Sequence, residues 1–504
     1  FCRTWETGVE PFLKLDGVEP RVRGQVLDYP QHSGSGYGYL LRVQRVEAEG
    51  FPEETEPFVV RLSADPPFLC GPCDQWEGRV RFFAYSSRGG LYSSRNSWLA
   101  KGVALGAYLT GYDDASVVSQ AEQPPGKLFA ELRHLLSRSL ARHLPREEAA
   151  LLQAMLLGQR DALPDRAYED FKQIGSSHLL VISGLHMAAL AALLSLLFGR
   201  LPLGRVGRNL LTAGALLCFL ALTAFPVSAL RSGIMYLLFL LADCFGRKPD
   251  GVNSLGFAVL AVCLQNPFAG MDLGFALSVL ATLGILLLYP GLYRVFLRPF
   301  GKRSRLFRAM KPAAASLAVT VSAALFTLPL QLPVFGGIAL LSPLANLVLA
   351  LPCTLLLYSA FAGVFFLLLP ALAPLAAPFL FCAGWTARFA LWAARMLGGI
   401  PGTFLDLRQG VWPIVLGAVL LLALAACLPR KRDPAAVWAA VLLSAVLVAL
   451  GGVLEAWRWH GVVTVAVADP EGSSSVAVLK DGEAALLAAG GYRTGAARDL
   501  LVQN

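Results

Sequence analysis

Ser183, Gly184 and His186 stand together in the apolar stretch His178-Leu-Leu-Val-Ile-Ser-Gly-Leu-His186-Met-Ala-Ala-Leu, with His178 at its head. A serine hydroxyl and two imidazoles can relay protons, hold a polar solute or serve a nucleophile. Such groups are expensive in hydrocarbon, and ionisable residues there usually face a partner or a wet path. On a helix Ser183 and His186 share a face, and Gly184 beside them allows close backbone approach or a break in the span. Three roles fit: the wall of a polar lumen, hydrogen bonding between helices, or an intramembrane hydrolase.

Further polar side chains recur in the apolar segments: Arg231 within Pro226-Val-Ser-Ala-Leu-Arg-Ser-Gly233, then Asp272, Ser278, Gln331 and Asn346. A buried arginine costs about 2.5–3.5 kcal/mol even on insertion scales. Arg231 is therefore expected to meet a partner or water, or to snorkel to the membrane boundary. Together with His178, Ser183, Gly184 and His186, these residues are the candidate lumen lining.

Some chemistry is missing. Gly126-Lys127 is followed by Leu128, so there is no P-loop. The six histidines (His32, His134, His143, His178, His186 and His460) form no zinc-hydrolase motif, and no Gly-x-Ser-x-Gly elbow surrounds Ser183. No metal, cofactor or catalytic residue is expected in this chain.

The elements that must position these residues are mostly membrane spans. Of the 504 residues 56% are hydrophobic and 15% charged, with mean hydropathy +0.57. Ordinary soluble domains carry about 25% charge. The fold class expected is a polytopic α-helical membrane protein with soluble parts. Spans are expected at 178–199, 209–225, 227–245, 252–268, 271–290, 313–335, 338–369, 373–398, 411–428 and 436–455. The seventh holds Pro343 and Pro352 and is expected to be broken or split. Basic clusters follow the first, third, fifth and ninth spans: Arg200 to Arg208, Arg247-Lys248, Arg294 to Lys311, and Arg430 to Arg432. By the positive-inside rule these loops are cytoplasmic. Both flanking soluble parts then lie outside. The net charge of +9 fits this topology and would also attract a polyanion.

Residues 1–120 read as a small β domain of the OB type. Strands are expected at 22–27, 37–46, 58–62 and 76–85, separated by turn-forming clusters. Residues 121–177 read as an amphipathic helical connector, with Leu128, Leu132, Leu135, Leu136 and Leu140 at helical spacing, lying on the membrane surface or beneath the β domain. Residues 178–456 form the membrane domain. Residues 457–504 open another β segment, with strands near 462–467, 475–479 and 484–488.

Most of the nine cysteines are single residues in apolar runs and read as packing. Cys70 and Cys73 form Cys-Gly-Pro-Cys. They are a disulfide or redox candidate if extracytoplasmic, and otherwise two plain thiols. With no second pair, a four-cysteine zinc site is not expected.

Several ordered motifs resemble the ComEC family, the inner-membrane channel proteins of bacterial DNA uptake. They are His178–His186, Leu144-Pro-x-Glu-x-Ala-x-Leu-Leu with Met155-Leu-Leu-Gly-Gln-Arg, and Ser228-Ala-Leu-Arg-Ser-Gly-Ile-Met235. Asn266-Pro267 with Asp272-Leu-Gly-Phe-Ala-Leu-Ser278, Leu328-Pro-Leu-Gln331, Leu341-Ser-Pro-Leu-Ala-Asn346 and Val22-Arg-Gly-Gln-Val26 complete the set. Ser232 departs from the family's usual alanine. The resemblance implies passage of one DNA strand into the cytoplasm through the bacterial cytoplasmic membrane. It also implies membrane lipid, an external DNA receptor and a separate cytoplasmic ATPase as partners, with the proton gradient as the other energy source. It implies that 457–504 begins a metallo-β-lactamase-like domain, degenerate or truncated, so nuclease activity is in doubt. In the OB-like part, Arg79, Arg81, Phe82, Phe83, Tyr85 and Arg88 are candidate contacts for single-stranded DNA, or else an ordinary solvated strand face. The functions that compete with a channel are a membrane-anchored hydrolase or nuclease and a small-molecule or lipid transporter.

Overall fold

The computed structural model describes residues 9–33, 36–48, 54–68, 70–86, 93–119, 125–160, 162–298, 305–335, 337–406 and three strands within 463–489. It divides into two compact units, a large one containing a barrel and a helical bundle, and a small one containing the three C-terminal strands.

The barrel is built from β1 (Arg21–Val26), β3 (Gly36–Glu47), β4 (Glu54–Ala64), β5 (Gln75–Phe83) and β6 (Val103–Ser119), with the short β2 (Gln31–Ser33) added beside β3. The order β1-β5-β6-β4-β3 closes through a β1–β3 pairing, so five strands complete a barrel with no open edge. The β4–β6 pair is parallel and the others antiparallel. Alternation puts Trp76, Val80 and Phe82 of β5 inside with Val60, Leu62, Leu105 and Ala107. The four expected strands are present. The longest strand, β6, lies outside that expectation, as does the helix α2 (Ser94–Ala100) leading into it. The short α1 (Glu10–Leu13) places Phe12 against Phe58.

The connector comprises α3 (Pro125–His143), α4 (Arg146–Leu152) running into a π turn (Gln153–Leu157), and α5 (Asp165–Gln173). It packs on the helical bundle. Leu136, Leu140, Leu151, Leu152, Met155 and Phe171 share one core with the helical bundle. A helix apolar on nearly every side buries every side, and residues 149–157 are all buried, Gln153 donating to the Ser137 carbonyl. Of the leucines of α3 only Leu128 and Leu135 stay exposed. Asp28 holds the base of α3 to the barrel through Arg133 at 3.0 Å, beside a stack of Tyr29 on His134.

The bundle contains α6 (Gly184–Phe198), α7 (Arg205–Leu222), α8 (Val227–Cys244), α9 (Gly251–Gln265), α10 (Leu273–Leu297), α11 (Arg305–Phe335), α12 (Ser342–Leu367) and α13 (Ala376–Gly398). Six of these are long and apolar enough to cross a membrane, and α6 and α9 are shorter apolar helices. The chain is a membrane protein. The seventh expected span is not split: α12 runs unbroken with Pro352 inside it and Pro343 in its first turn. The last two expected spans, 411–428 and 436–455, lie outside the described residues. In α13 the buried Ala383, Ala387, Ala390 and Ala394 form a small-residue stripe facing α12. There a Cβ on Gly363 would stand 2.8 Å from Leu380. Close approach of this kind holds helices together where lipid removes the hydrophobic drive.

The first expected span needs the largest correction. Residues 178–199 are not one helix. Ser177–Leu180 is a single 3-10 turn, Val181 is extended, and α6 starts only at Gly184. At 1.5 Å per residue α6 spans about 22 Å, short of a hydrocarbon core of about 30 Å. Its N-terminus therefore opens within the bundle.

The small unit holds β7 (Val463–Ala468), β8 (Ser475–Lys480) and β9 (Glu483–Ala489) in an antiparallel meander. The three strands expected there are present.

Candidate polar pathway and nucleic-acid face

Ser183 and His186 meet because the span breaks. Ser183 is the N-cap of α6, and His186 is its third residue. The Ser183 backbone N–H donates to His186 Nδ1 at 3.2 Å, with Ser183 Oγ also 3.2 Å from that nitrogen. A backbone N–H can only donate, so Nδ1 accepts, and the neutral ring carries its proton on Nε2. That Nε2 is fully buried and without a partner among the described residues. An unpaired buried donor costs about 1–3 kcal/mol. His178 is exposed, in the single 3-10 turn before the break, and makes no described hydrogen bond to Ser183 or His186.

Arg231 projects from α8 toward the same break. It is 4% exposed, so it does not snorkel. Its Nε and Nη2 donate to Ser278 Oγ of α10 at 3.1 and 2.8 Å, and its Nη1 lies 3.2 Å from Met235 Sδ. A Cβ on Gly184 would stand 3.8 Å from Arg231 Nη2 and from Ser232 Cβ. Ser228 ties α8 to the extended segment by donating to the Ile182 carbonyl at 2.9 Å. Five expected residues, Ser183, Gly184, His186, Arg231 and Ser278, thus gather where three elements meet.

The others are elsewhere or serve the fold. Asp272 caps α10, accepting from the Phe275 N–H at 2.7 Å. Asn346 links the chain before the break to α11 and α12: its Oδ1 accepts from Ser176 Oγ at 3.0 Å and its Nδ2 lies 3.5 Å from Thr320 Oγ1. Gln331 is half-buried in α11. Asn266 does work that sequence reasoning missed. Its Oδ1 accepts from the Phe268 N–H at 2.9 Å, and its Nδ2 donates to the Leu99 and Ala100 carbonyls at the end of α2, at 3.3 and 2.8 Å. With Phe268 packed on Val9 and Leu99, this fastens the barrel to the turn between α9 and α10.

On the barrel, the DNA-contact expectation needs one correction. Phe82 points inward and is fully buried, because it shares strand parity with Trp76 and Val80. Phe83 points outward with Arg81 and Arg79. Cross-strand register puts Arg61, Gly106 and Phe83 in one outer row and Ser63, Tyr108 and Arg81 in the next. A Cβ on Gly106 would fall 2.1 Å from the Phe83 ring, so the ring lies flat over that glycine. Phe83 stacks on Tyr108 at 4.7 Å and meets Tyr85 edge-on at 5.4 Å, and Tyr85 stacks on Trp98 of α2 at 5.3 Å. Arg61 and Lys101 sit over the Trp98 ring at 4.8 and 4.6 Å. Burial pushes the Tyr85 hydroxyl up to about 12, keeping it neutral. Tyr108, Trp98, Arg61 and Lys101 were not among the expected contacts. The run of aromatic rings framed by cations suits bases and phosphates. Arg88 lies outside the described residues.

Cys70 and Cys73 flank the turn before β5 as free thiols. Burial, with Asp74 adding to it, pushes the Cys70 thiol up to about 12, and burial raises Cys73 as well. Among the described residues no group of three His, Cys, Asp or Glu side chains gathers to hold a metal.

The chain is 26% identical over 255 residues to ComE operon protein 3 of Bacillus subtilis (strain 168), covering 50% of this chain and 31% of that protein. It is 28% identical over 259 residues to competence protein ComA of Neisseria gonorrhoeae, covering 48% and 34%. It is 26% identical over 298 residues to YcaI of Escherichia coli (strain K12), covering 57% and 37%. The alignments span about a third of the length of these curated relatives. No solved structure matches. A family model described as competence protein matches residues 155–432, more than half of the chain and all of the broken span, Arg231 and Ser278, so the chain belongs to the competence protein family.

Proposed function

We propose that this chain forms a passage for single-stranded DNA across the bacterial cytoplasmic membrane during DNA uptake. The observation that carries the reading is the interrupted span. Irregular backbone at membrane depth is tolerated only where it is buried in protein or lines a water-filled cavity, and a buried arginine and an orphaned imidazole at the break favour the second. A strand with a charge at every phosphate needs such a lining.

The barrel supports the reading. Its aromatic and cationic face includes Trp98 of α2, the same helix that Asn266 fastens to the α9–α10 turn. By the distribution of basic loops that turn is extracytoplasmic, so the barrel would meet DNA before the membrane does. In this account the outer face guides a strand, and the break near Arg231 receives it. The small β unit is taken as the start of a metallo-β-lactamase-like segment outside the membrane. An external receptor would deliver DNA, and a cytoplasmic ATPase or the proton gradient would supply the drive.

The test is uptake of labelled DNA by cells in which Arg231 or His186 is replaced by alanine. Loss of uptake at normal protein level is expected. Normal uptake would overturn the reading.

A further inference from the structure

Arg231 carries a full charge that nothing described in the fold cancels. Among the described residues no carboxylate stands within ion-pair distance of it. Its partners are one hydroxyl and one thioether, both neutral. A buried cation without a counter-charge is costly, and the cost is removed only by an anion or by water.

The donor count sharpens this. A guanidinium has five N–H groups. Two donate to Ser278 Oγ and one points to Met235 Sδ, which leaves one on Nη1 and one on Nη2. Ser278 Oγ accepts two of those bonds, so both of its lone pairs are used and its own proton is available. Thr282, Thr327 and Ser359, also in membrane helices, each spend that proton on a carbonyl of their own helix. No such bond is found for Ser278. Gly184 puts no side chain beside Arg231 Nη2, where a Cβ would stand 3.8 Å from that nitrogen. The first amides of α6, at Gly184 and Leu185, make no described hydrogen bond, whereas those of His186 and Met187 return to the Ser183 carbonyl.

We propose that Arg231, Ser278 and the open first turn of α6 form a binding site for one phosphate group inside the membrane domain, occupied by a phosphodiester of the strand in transit. The phosphate takes the two spare guanidinium protons, the Ser278 hydroxyl proton and the helix-end amides, and it supplies the missing negative charge. Such charge-assisted bonds are the strong ones, and an arginine fork suits a phosphate. The phosphate chemistry stands on the geometry alone. Only the ownership of the phosphate rests on the passage reading above.

The test uses the full chain in nanodiscs of zwitterionic lipid, with inorganic phosphate as probe and phosphorus NMR as readout, at ionic strength matched with chloride. Phosphate is expected to bind the unaltered chain. Removing two or more charge-assisted bonds predicts affinity roughly tenfold to hundredfold weaker in Arg231→Gln. Arg231→Lys, which keeps the charge, should retain part of it, and Ser278→Ala should lie between. A phosphodiester oligothymidylate should displace the phosphate, while the same oligomer with uncharged methylphosphonate linkages should not. Displacement by phosphatidylglycerol and not by the oligonucleotide would overturn the assignment to DNA and give the site to a lipid headgroup. No binding, or equal binding by Arg231→Gln, would overturn the site itself, whatever cells do with DNA. Binding in a chain that takes up no DNA would leave the site standing and remove the passage reading.

Discussion

Substituting Trp98 and Tyr108 with alanine removes both ends of the aromatic run on the barrel. Neither ring belongs to the barrel core, which Tyr39, Trp76 and Phe82 fill from the inside. The barrel should therefore stay folded. Each base stacked on an aromatic ring contributes about 1–3 kcal/mol. If each end of the run stacks one base, the double variant loses about 2–6 kcal/mol, at least a thirtyfold drop in affinity. The cations give a separate handle. Arg61, Arg81 and Lys101 frame the rings, and each phosphate neutralised on a single strand adds about 0.7 to the slope of log affinity against log salt. Arg81→Gln should lower that slope by about 0.7 and leave base preference untouched. The assay is anisotropy of a labelled oligothymidylate on the full chain in nanodiscs, across a salt series. The reasoning fails if the double variant, with an unfolding midpoint equal to that of the parent, binds as tightly as the parent.

Asn266→Ala should loosen the barrel from the bundle. Two carbonyls lose their donor, about 1 kcal/mol each, and hydrogen exchange around Lys101–Gly102 should quicken while the barrel core does not change. Gly363→Val should push Leu380 away from α12 and destabilise the chain by about 1–3 kcal/mol, seen in thermal unfolding. Cys70 should resist alkylation. Its thiol sits near 12 against an ordinary 9.0, so at mildly alkaline pH its thiolate fraction is about a thousandfold below that of a free thiol. The rate should climb with pH until the pH passes that value, and brisk labelling near pH 8 would contradict the burial seen here.

Much of this architecture is written in local patterns. Alternation announced four of the barrel strands, and apolar length announced the helices from α7 to α13. The β6 strand was also legible, since Val103, Leu105, Ala107 and Leu109 alternate inward. It is masked by small residues such as Gly106, whose role is to lie under Phe83. Phe82 was misread because its neighbour sits on the other face, which strand parity decides and composition does not. The break at Ser183 had a local sign. A serine followed by glycine, with a hydrogen-bonding side chain three positions on, is a helix start. Averaged hydropathy smooths over it, because Val181 and Ile182 are as apolar as the helix that follows. What no local pattern carries is that Arg231 has no counter-charge among the described residues. An absent counter-charge becomes visible only when α6, α8 and α10 are placed together. The burial of the connector lies between these cases. Ala149 to Leu157 is apolar all round but for Gln153, yet only α12 and α13 explain why.

The most direct measurement is where a strand touches the chain on its way through. DNA carrying 4-thiothymidine and a bulky end that halts it in transit would be irradiated in membranes, and the joined peptides mapped by mass spectrometry. Cross-links to the segments around Ser183–His186, Ser228–Met235 and Phe275–Ser278 are the expected result. Cross-links confined to the barrel, or to lipid-facing positions such as Leu264, would contradict a path past the broken helix.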